Sequence, residues 1–512
     1  MRRWRSLPGV ADRHPWWTSF VLFFALGSLW SLASPLFSVP DEPSHVVWAA
    51  AVARGQLRAQ ERTTTVAPNE DGEAAFVRVP EVFVLAHEVP GCYAFHPREP
   101  ADCAPAFAGP HRTASVRTNA GRYPPVYYLV TGLPSVPLPT AIGVRAMRLV
   151  SAAVSAAFLA SAVTALRRMD RRAPLLVGLA VAVTPMTLYL AGSVNPSSVE
   201  AAAAIALWAS LVALAQGAPP TRPVVVTAAA GAGGLALSRP LSPLWVGVIG
   251  LCALIIVPWD RIRALARDRL VRRGAAAVAV CLVLAGAWIL WAQALDGFTA
   301  VRRPPADATG TDIVRTSIGR TGSDLRQMVG IFGWLDAPGP ALTYTLWTVA
   351  VGVLVVSALA AASGRGIAAL AVVVVLTVAV PVVIESAEAR RLGFVWQGRY
   401  TLPLAVGVPL LAAALGRDVL ARLGSRLVAV LLGLLVTGHF LAFVWALRRH
   451  AMGVDGWFGD PLEWQPPGSA LVVVVAFAAA LVAQGWWLAR LAGAEAPVDR
   501  PVPAEPASPG GC

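Results

Sequence analysis

The sequence predicts an all-α, polytopic integral membrane protein of about 12 transmembrane helices, with a long extracytoplasmic loop after the first helix. Three observations carry that prediction. The 512-residue chain is 56% hydrophobic and 14% charged. Its mean hydropathy is +0.62, too apolar for a soluble chain of this length. Apolar runs of about 20 residues, the length that crosses a bilayer, recur between short Arg-rich gaps.

In order, the runs fall at 16–36, 141–166, 173–191, 197–216, 222–238, 241–258, 274–295, 341–362, 366–384, 400–416, 426–447 and 468–491. The first has no small-residue cleavage site and continues into a Pro-rich acidic stretch, so it reads as a retained span rather than a removed signal peptide. Residues 1–15 are expected to be a cytoplasmic N-terminal segment, 16–493 the membrane domain, and the Pro- and Ala-rich 494–512 a disordered cytoplasmic tail.

The formal charge is +13, and the basic residues are all Arg. They concentrate in RRMDRR at 167–172, DRIRALARDRLVRR at 260–273 and GRDVLARLGSR at 416–426, on the same side as MRRWR. Short Arg-rich loops face the cytoplasm. That explains the basicity without nucleic acid, which is not expected as a partner, and predicts that both termini are cytoplasmic. The other loops, 37–140, 296–340, 385–399 and 448–467, hold most of the Asp, Glu, His and loop Trp. Any chemistry is therefore expected on the extracytoplasmic face. The chain has no P-loop, Rossmann fingerprint, His/Cys zinc cluster or GxSxG elbow in a credible context, which argues against nucleotide-driven transport and nucleotide-sugar chemistry.

Loop 37–140 is too long for a connector. Its opening, VPDEPSHVVWAAAVARG, predicts a helix with Ser38 or Asp41 as cap, Pro43 in the first turn and Gly55 at the end. The apolar positions favour a helix lying flat on the membrane. TTTVAPNEDGEAAFVRVPEVF is turn-rich and strand-like, and YPPVYYLVTGLPSVPLP returns to the membrane with interfacial aromatics. Cys92 and Cys103 share this loop and are a disulfide candidate if it is extracytoplasmic; otherwise they are two free thiols.

Asp41 and Glu42 are the sharpest catalytic candidates, because a carboxylate at the bilayer edge can take a proton from a sugar hydroxyl or bind a divalent cation. Adjacent helical residues point about 100° apart, so one of them, Asp41, is expected to face substrate with Glu42 in support. Carboxylates in a first helical turn are also favoured by the dipole alone. His45, one turn on, is placed to assist proton transfer. In WQGRYTLPL, Arg399 beside Gln397 and Tyr400 suits a lipid phosphate, which guanidinium binds bidentately. Snorkelling, or pairing with Glu385 or Glu388, is the ordinary alternative. Arg239 in LSRPLSP carries a weaker form of the same argument, and Arg145 and Arg148 a weaker one still.

Asn195 and Glu200 in AGSVNPSSVE, Tyr127 in YPPVYYL, and Trp334 and Asp336 in FGWLDAPGP complete the expected substrate-binding set. A helical corner wants Asn, Pro and Ser for capping in any case, and an aromatic belt wants Trp.

VPDEPSHVVWAAAVARGQL, YPPVYYL, PMTLYLAGSVNPSSVE, FGWLDAPGP and WQGRYTLPL, in that order, resemble the landmarks of the bacterial membrane-protein family called domain of unknown function 2142, over roughly residues 18–450. Family members often carry Asp after the NP pair, where this chain has Ser197. The family is grouped with the GT-C glycosyltransferases, which take a sugar from a polyprenyl-linked donor and carry an essential acid in the first outer loop. The resemblance therefore implies a GT-C-like fold and sugar transfer to a cell-envelope glycan or protein, with Asp41 as base, Glu42 or His45 tuning it, and Arg399 and Arg239 on the donor phosphate. It implies no required cofactor for a monophosphate donor, and Mg2+ or Mn2+ on Asp41 and Glu42 for a diphosphate. A transporter or flippase of lipid-linked sugars, and a non-catalytic envelope-assembly protein, are the alternatives. Transporters show repeat symmetry and midplane polar groups, whereas this chain gathers its polar residues in the outer loops.

Overall fold

The computed structural model describes residues 13–67, 70–292, 304–305, 307–457 and 459–493. The expected tail at 494–512, most of the N-terminal segment and the start of the loop at 296–340 lie outside the described residues.

The first apolar helix, α1 (Pro15–Ala33), is followed by α2 (Glu42–Val52), the strands β1 (Gln60–Ala67), β2 (Glu70–Pro80) and β3 (Thr113–Arg117), and α3 (Pro125–Gly132). Next come α4 (Ala141–Leu166), α5 (Ala173–Ala182), α6 (Pro185–Ala191), α7 (Pro196–Ala215), α8 (Arg222–Ala236), α9 (Ser242–Ile256), α10 (Trp259–Arg267) and α11 (Arg269–Ala292). After α12 (Gly310–Gly330) and the two-residue strands β4 (Ile331–Phe332) and β5 (Ala337–Pro338) come α13 (Ala341–Ala361), α14 (Gly364–Leu392), α15 (Leu402–Leu415), α16 (Arg417–Met452) and α17 (Ala470–Gly493).

Among the described residues, eight helices are long and apolar enough to cross a membrane: α1, α4, α7, α11, α13, α14, α16 and α17. The chain is thus a mostly helical, multi-pass membrane protein. A ninth crossing is available if α5 and α6 act together; they meet at a 62° bend. The bend has a local cause, since the Thr184 hydroxyl accepts the Thr187 N–H at 3.2 Å and Pro185 opens the new helix. The remaining three expected runs are helical but short: α8 and α9 have 15 residues each, about 22 Å at 1.5 Å per residue against a hydrocarbon core of roughly 30 Å, and α15 is also too short.

The core is centred on α7, an Ala-rich helix with hardly an exposed residue, packed among α4, α8 and α15. Trp208 anchors it by donating its indole N–H to the Pro403 carbonyl at 3.1 Å. The turn after α6 seats directly on α1: a Cβ on Gly192 would lie 2.7 Å from the Ser31 nitrogen.

In the first long loop, β1–β2–β3 form an antiparallel sheet with β2 in the middle. The same loop holds a Cys92–Cys103 disulfide with its Cα atoms 6.2 Å apart. The expectation that α2 lies flat on the membrane is corrected, because all 11 of its residues are buried. β2 and α3 enclose it, the Thr118 hydroxyl donates to the Ser44 carbonyl at 2.8 Å, and the Trp48 indole donates to the Tyr123 carbonyl at 3.3 Å. Its largely apolar sequence is the mark of a helix surrounded on every side.

Candidate active site

Asp41 stands at the N-cap position of α2 but does not cap it. Its backbone is left-handed, φ 65°, and its side chain makes no capping bond; Ser38, the other expected cap, turns its hydroxyl back to the Pro35 carbonyl at 2.9 Å. Asp is among the few residues that tolerate this conformation. The Asp41 carboxylate pairs with the Arg399 guanidinium, 358 residues along the chain. Arg399 is 3% exposed and Asp41 43%, so the cation is fixed within the protein while the acid keeps an open side.

Arg399 is held from several directions. Nη1 donates to the Pro40 carbonyl at 3.2 Å and Nη2 lies 3.4 Å from the Tyr400 hydroxyl. Nε of Arg399 and Oε1 of Gln397 have no hydrogen-bond partner among the described residues. The turn that presents them depends on Gly398, whose N–H donates to Gln327 Oε1 of α12 at 2.8 Å. A Cβ there would sit 2.1 Å from the Asp324 carbonyl oxygen.

Arg239, in the link from α8 to α9, joins the same cluster. Its guanidinium lies 4.1 Å from the centre of the Tyr400 ring. It donates to Glu200 at 3.3 Å, to Ser197 Oγ at 3.4 Å and to the Tyr123 hydroxyl at 3.3 Å. All three distances are at the long limit of a hydrogen bond. The other Glu200 oxygen takes the Ser242 hydroxyl at 2.6 Å. Burial works against both arginine charges, but Tyr123, Glu200 and Tyr400 hold Arg239 well above the ordinary arginine value, and Tyr400 and Asp41 raise Arg399. Both therefore remain cations.

His45 borders the cluster with Nδ1 2.9 Å from the Tyr128 hydroxyl. Burial lowers its pKa to about 3; Asp41 opposes that shift, and Arg399 and Arg239 reinforce it. His45 is neutral at physiological pH and cannot begin as an acid.

Several expected site residues have other partners. Glu42 is fully buried, with Nε and Nη2 of Arg148 donating to its oxygens at 2.7 and 2.6 Å and the Val194 N–H at 3.0 Å. Arg148 also donates to the carbonyls of Ser31, Ser34 and Pro35. The expectation that Glu42 supports Asp41 at the reacting face, or shares a metal with it, is corrected: both its oxygens are taken and it points into the helix packing. Asn195 caps α7 and donates to the Pro40 carbonyl at 3.1 Å, which sets the backbone next to Asp41 rather than a ligand. Asp336 takes Arg449 at 3.0 Å and the Trp334 N–H at 3.2 Å, and the Trp334 indole donates to the Phe37 carbonyl at 3.2 Å. These two tie the β4–β5 hairpin to the start of loop 37–140. The Tyr127 hydroxyl is bonded to Ser151 at 3.0 Å, deep between α3 and α4.

Sequence reasoning undervalued Arg148 and passed over Tyr123, Tyr128 and Arg449. Arg148 carried a signal, because it sits inside a 26-residue apolar helix, where an ionisable group demands a partner.

The fold and this cluster define a multi-pass helical membrane protein with a charged, aromatic-lined site built from the segments that connect its helices. Over residues 23–408 the chain matches the family described as Predicted membrane protein (DUF2142), and it belongs to that family. No curated protein and no solved structure matches it.

Proposed function

We propose that this protein is a GT-C-type glycosyltransferase. It would move a sugar from a polyprenyl phosphate to a cell-envelope glycan or protein on the outer face of the bacterial plasma membrane. The observation that carries the reading is the contact between half-exposed Asp41 and buried Arg399, with Arg239 stacked on the intervening Tyr400. General-base catalysis of sugar transfer needs a carboxylate open to an acceptor and fixed cations for a departing phosphate.

In the proposed step the acceptor oxygen attacks the anomeric carbon and its proton passes to Asp41. The bond from that carbon to the phosphate oxygen breaks, its electron pair stays on the phosphate, and configuration inverts. Arg399 and Arg239 balance the added negative charge in surroundings drier than water, where fixed charges act most strongly. Asp41 pairs with Arg399. An arriving phosphate competes for that guanidinium and frees the carboxylate to serve as base. No metal enters this scheme. A diphosphate donor would call for Mg2+ or Mn2+ at Asp41, without help from Glu42.

The test is Asp41→Asn in purified protein reconstituted with membrane extract carrying polyprenyl-phosphate sugars, following release of polyprenyl phosphate. Proton transfer to a positioned base contributes roughly 10² to 10⁴ in rate, and a loss of that size is expected. A folded Asp41→Asn protein with the wild-type rate overturns the proposal. Accumulation of polyprenyl-phosphate sugar in cells lacking the protein, uncorrected by Asp41→Asn, is the matching result in vivo.

A further inference from the structure

An apolar groove of about 630 Å³ runs between α3, α4, α8 and α11. Small residues make it. Ala230 of α8 and Ala277 of α11 leave space that larger side chains would fill, while Gly233 and Gly234 let Cys281 and Phe158 pack close against α8. α11 is the most peripheral of the membrane-crossing candidates, with 11% of its apolar window buried, so the groove lies on the lipid-facing side. One end reaches the charged cluster: Ser238, Val199 and Tyr127 line the groove. Ser238 precedes Arg239, and Val199 precedes Glu200, which holds Arg239.

We infer that this groove is the binding site for the hydrocarbon chain of a polyprenyl phosphate, with its phosphate at Arg239. The inference rests on the reading above for the headgroup, and on the groove for the chain. Charge complementarity selects the occupant. The groove walls are mostly Val, Ala, Gly, Leu and Phe, so they take a hydrocarbon. Arg273 of α11 lines the groove near one end, and the end that reaches Ser238 lies beside Arg239, whose three side-chain bonds are all 3.3 to 3.4 Å long and so yield to the shorter, charge-assisted bonds of a phosphate. The chain would enter sideways from the bilayer, past α11, and its length would lie along α8.

The groove contains its own reporter. Cys281 of α11 lines it and is partly exposed, whereas Cys252 is buried. In the full-length Cys512→Ser protein in phosphatidylcholine vesicles, a membrane-soluble maleimide is expected to label Cys281, followed by mass spectrometry of the α11 peptide. Polyprenyl phosphate at about ten times its Kd should slow labelling about tenfold. Polyprenol, lacking the phosphate, and phosphatidylglycerol, an anionic diacyl lipid, should not. Arg239→Gln should abolish the preference for the phosphate over polyprenol. Ala230→Trp, at an exposed groove position, should block protection by filling the groove.

Equal slowing by phosphatidylglycerol would mean a surface wetted by bulk lipid, and no slowing by polyprenyl phosphate would mean that the chain lies elsewhere; either overturns the inference. Protection together with an inert Asp41→Asn substitution would leave the groove standing and remove the base. Transfer without protection would do the reverse.

Discussion

Because Asp41 takes the left-handed conformation, its carboxylate and that of Glu42 leave the backbone toward different partners. Their substitutions should separate accordingly. Removing one member of a buried, fully bonded ion pair costs roughly 3–5 kcal/mol, so Glu42→Gln is expected to lower thermal stability in detergent by about that much, with Glu42→Gln/Arg148→Met recovering a good part. Asp41→Asn, at a half-exposed carboxylate, should leave the unfolding temperature close to wild type while transfer falls. Asp324 of α12 supplies a pH dependence. Burial raises its carboxyl to about 6 from 3.8, with Arg320 opposing and Glu385 adding, and Oδ1 has no hydrogen-bond partner among the described residues. A carboxyl raised in the fold contributes stability below the unfolded value of 3.8, and that stability is lost as pH rises through 6. Asp324→Asn should therefore be more stable than wild type at pH 8, by about 1 kcal/mol, and lose that advantage near pH 4 in thermal melts. The paired acids at 41 and 42 were readable as important from their position after an apolar run. Which of them faces outward was not, because the Pro40 carbonyl beside Asp41 is held by Asn195 and Arg399 from distant parts of the chain.

The elements carry the site by close approach of backbones. Gly398 lets the turn bearing Arg399 sit on α12, and Gly398→Ala forces its Cβ against the Asp324 carbonyl. Overpacking of this kind costs roughly 1–3 kcal/mol; the expected result is a modest drop in melting temperature with a larger loss of transfer, because Arg399 is displaced. Each of the 12 apolar runs is helical over most of its described residues, since apolar runs between Arg-rich gaps leave the backbone few other ways to satisfy its polar groups. The run lengths were less legible. α8, α9 and α15 end early where Pro, Gly or a break intervenes, and the sequence pattern does not distinguish a full crossing from a shorter buried helix. The fate of α2 was misread for a related reason: its apolar face was visible, but the sheet and α3 that cover the rest of it come from residues 60–132.

At the scale of the molecule, the first long loop is a folded layer tied to the far end of the chain. Arg449, near the end of α16, donates to the carbonyls of Tyr93, His96 and Glu99 inside and beside the disulfide-closed segment, and to Asp336. Reducing Cys92–Cys103 should loosen that segment and lower stability by roughly 2–4 kcal/mol, seen as a lower melting temperature, and Arg449→Ala should make the reduced protein more sensitive to protease between residues 92 and 103. The bond between Asp41 and Arg399 also sets an order on biogenesis. A nascent chain makes its carboxylate some 358 residues before the guanidinium that will hold it, so for most of translation Asp41 lacks its partner. Ribosome-bound chains halted short of WQGRY should remain open to proteolysis around Pro40, and chains released after it should close, which would make this ion pair a late checkpoint of assembly.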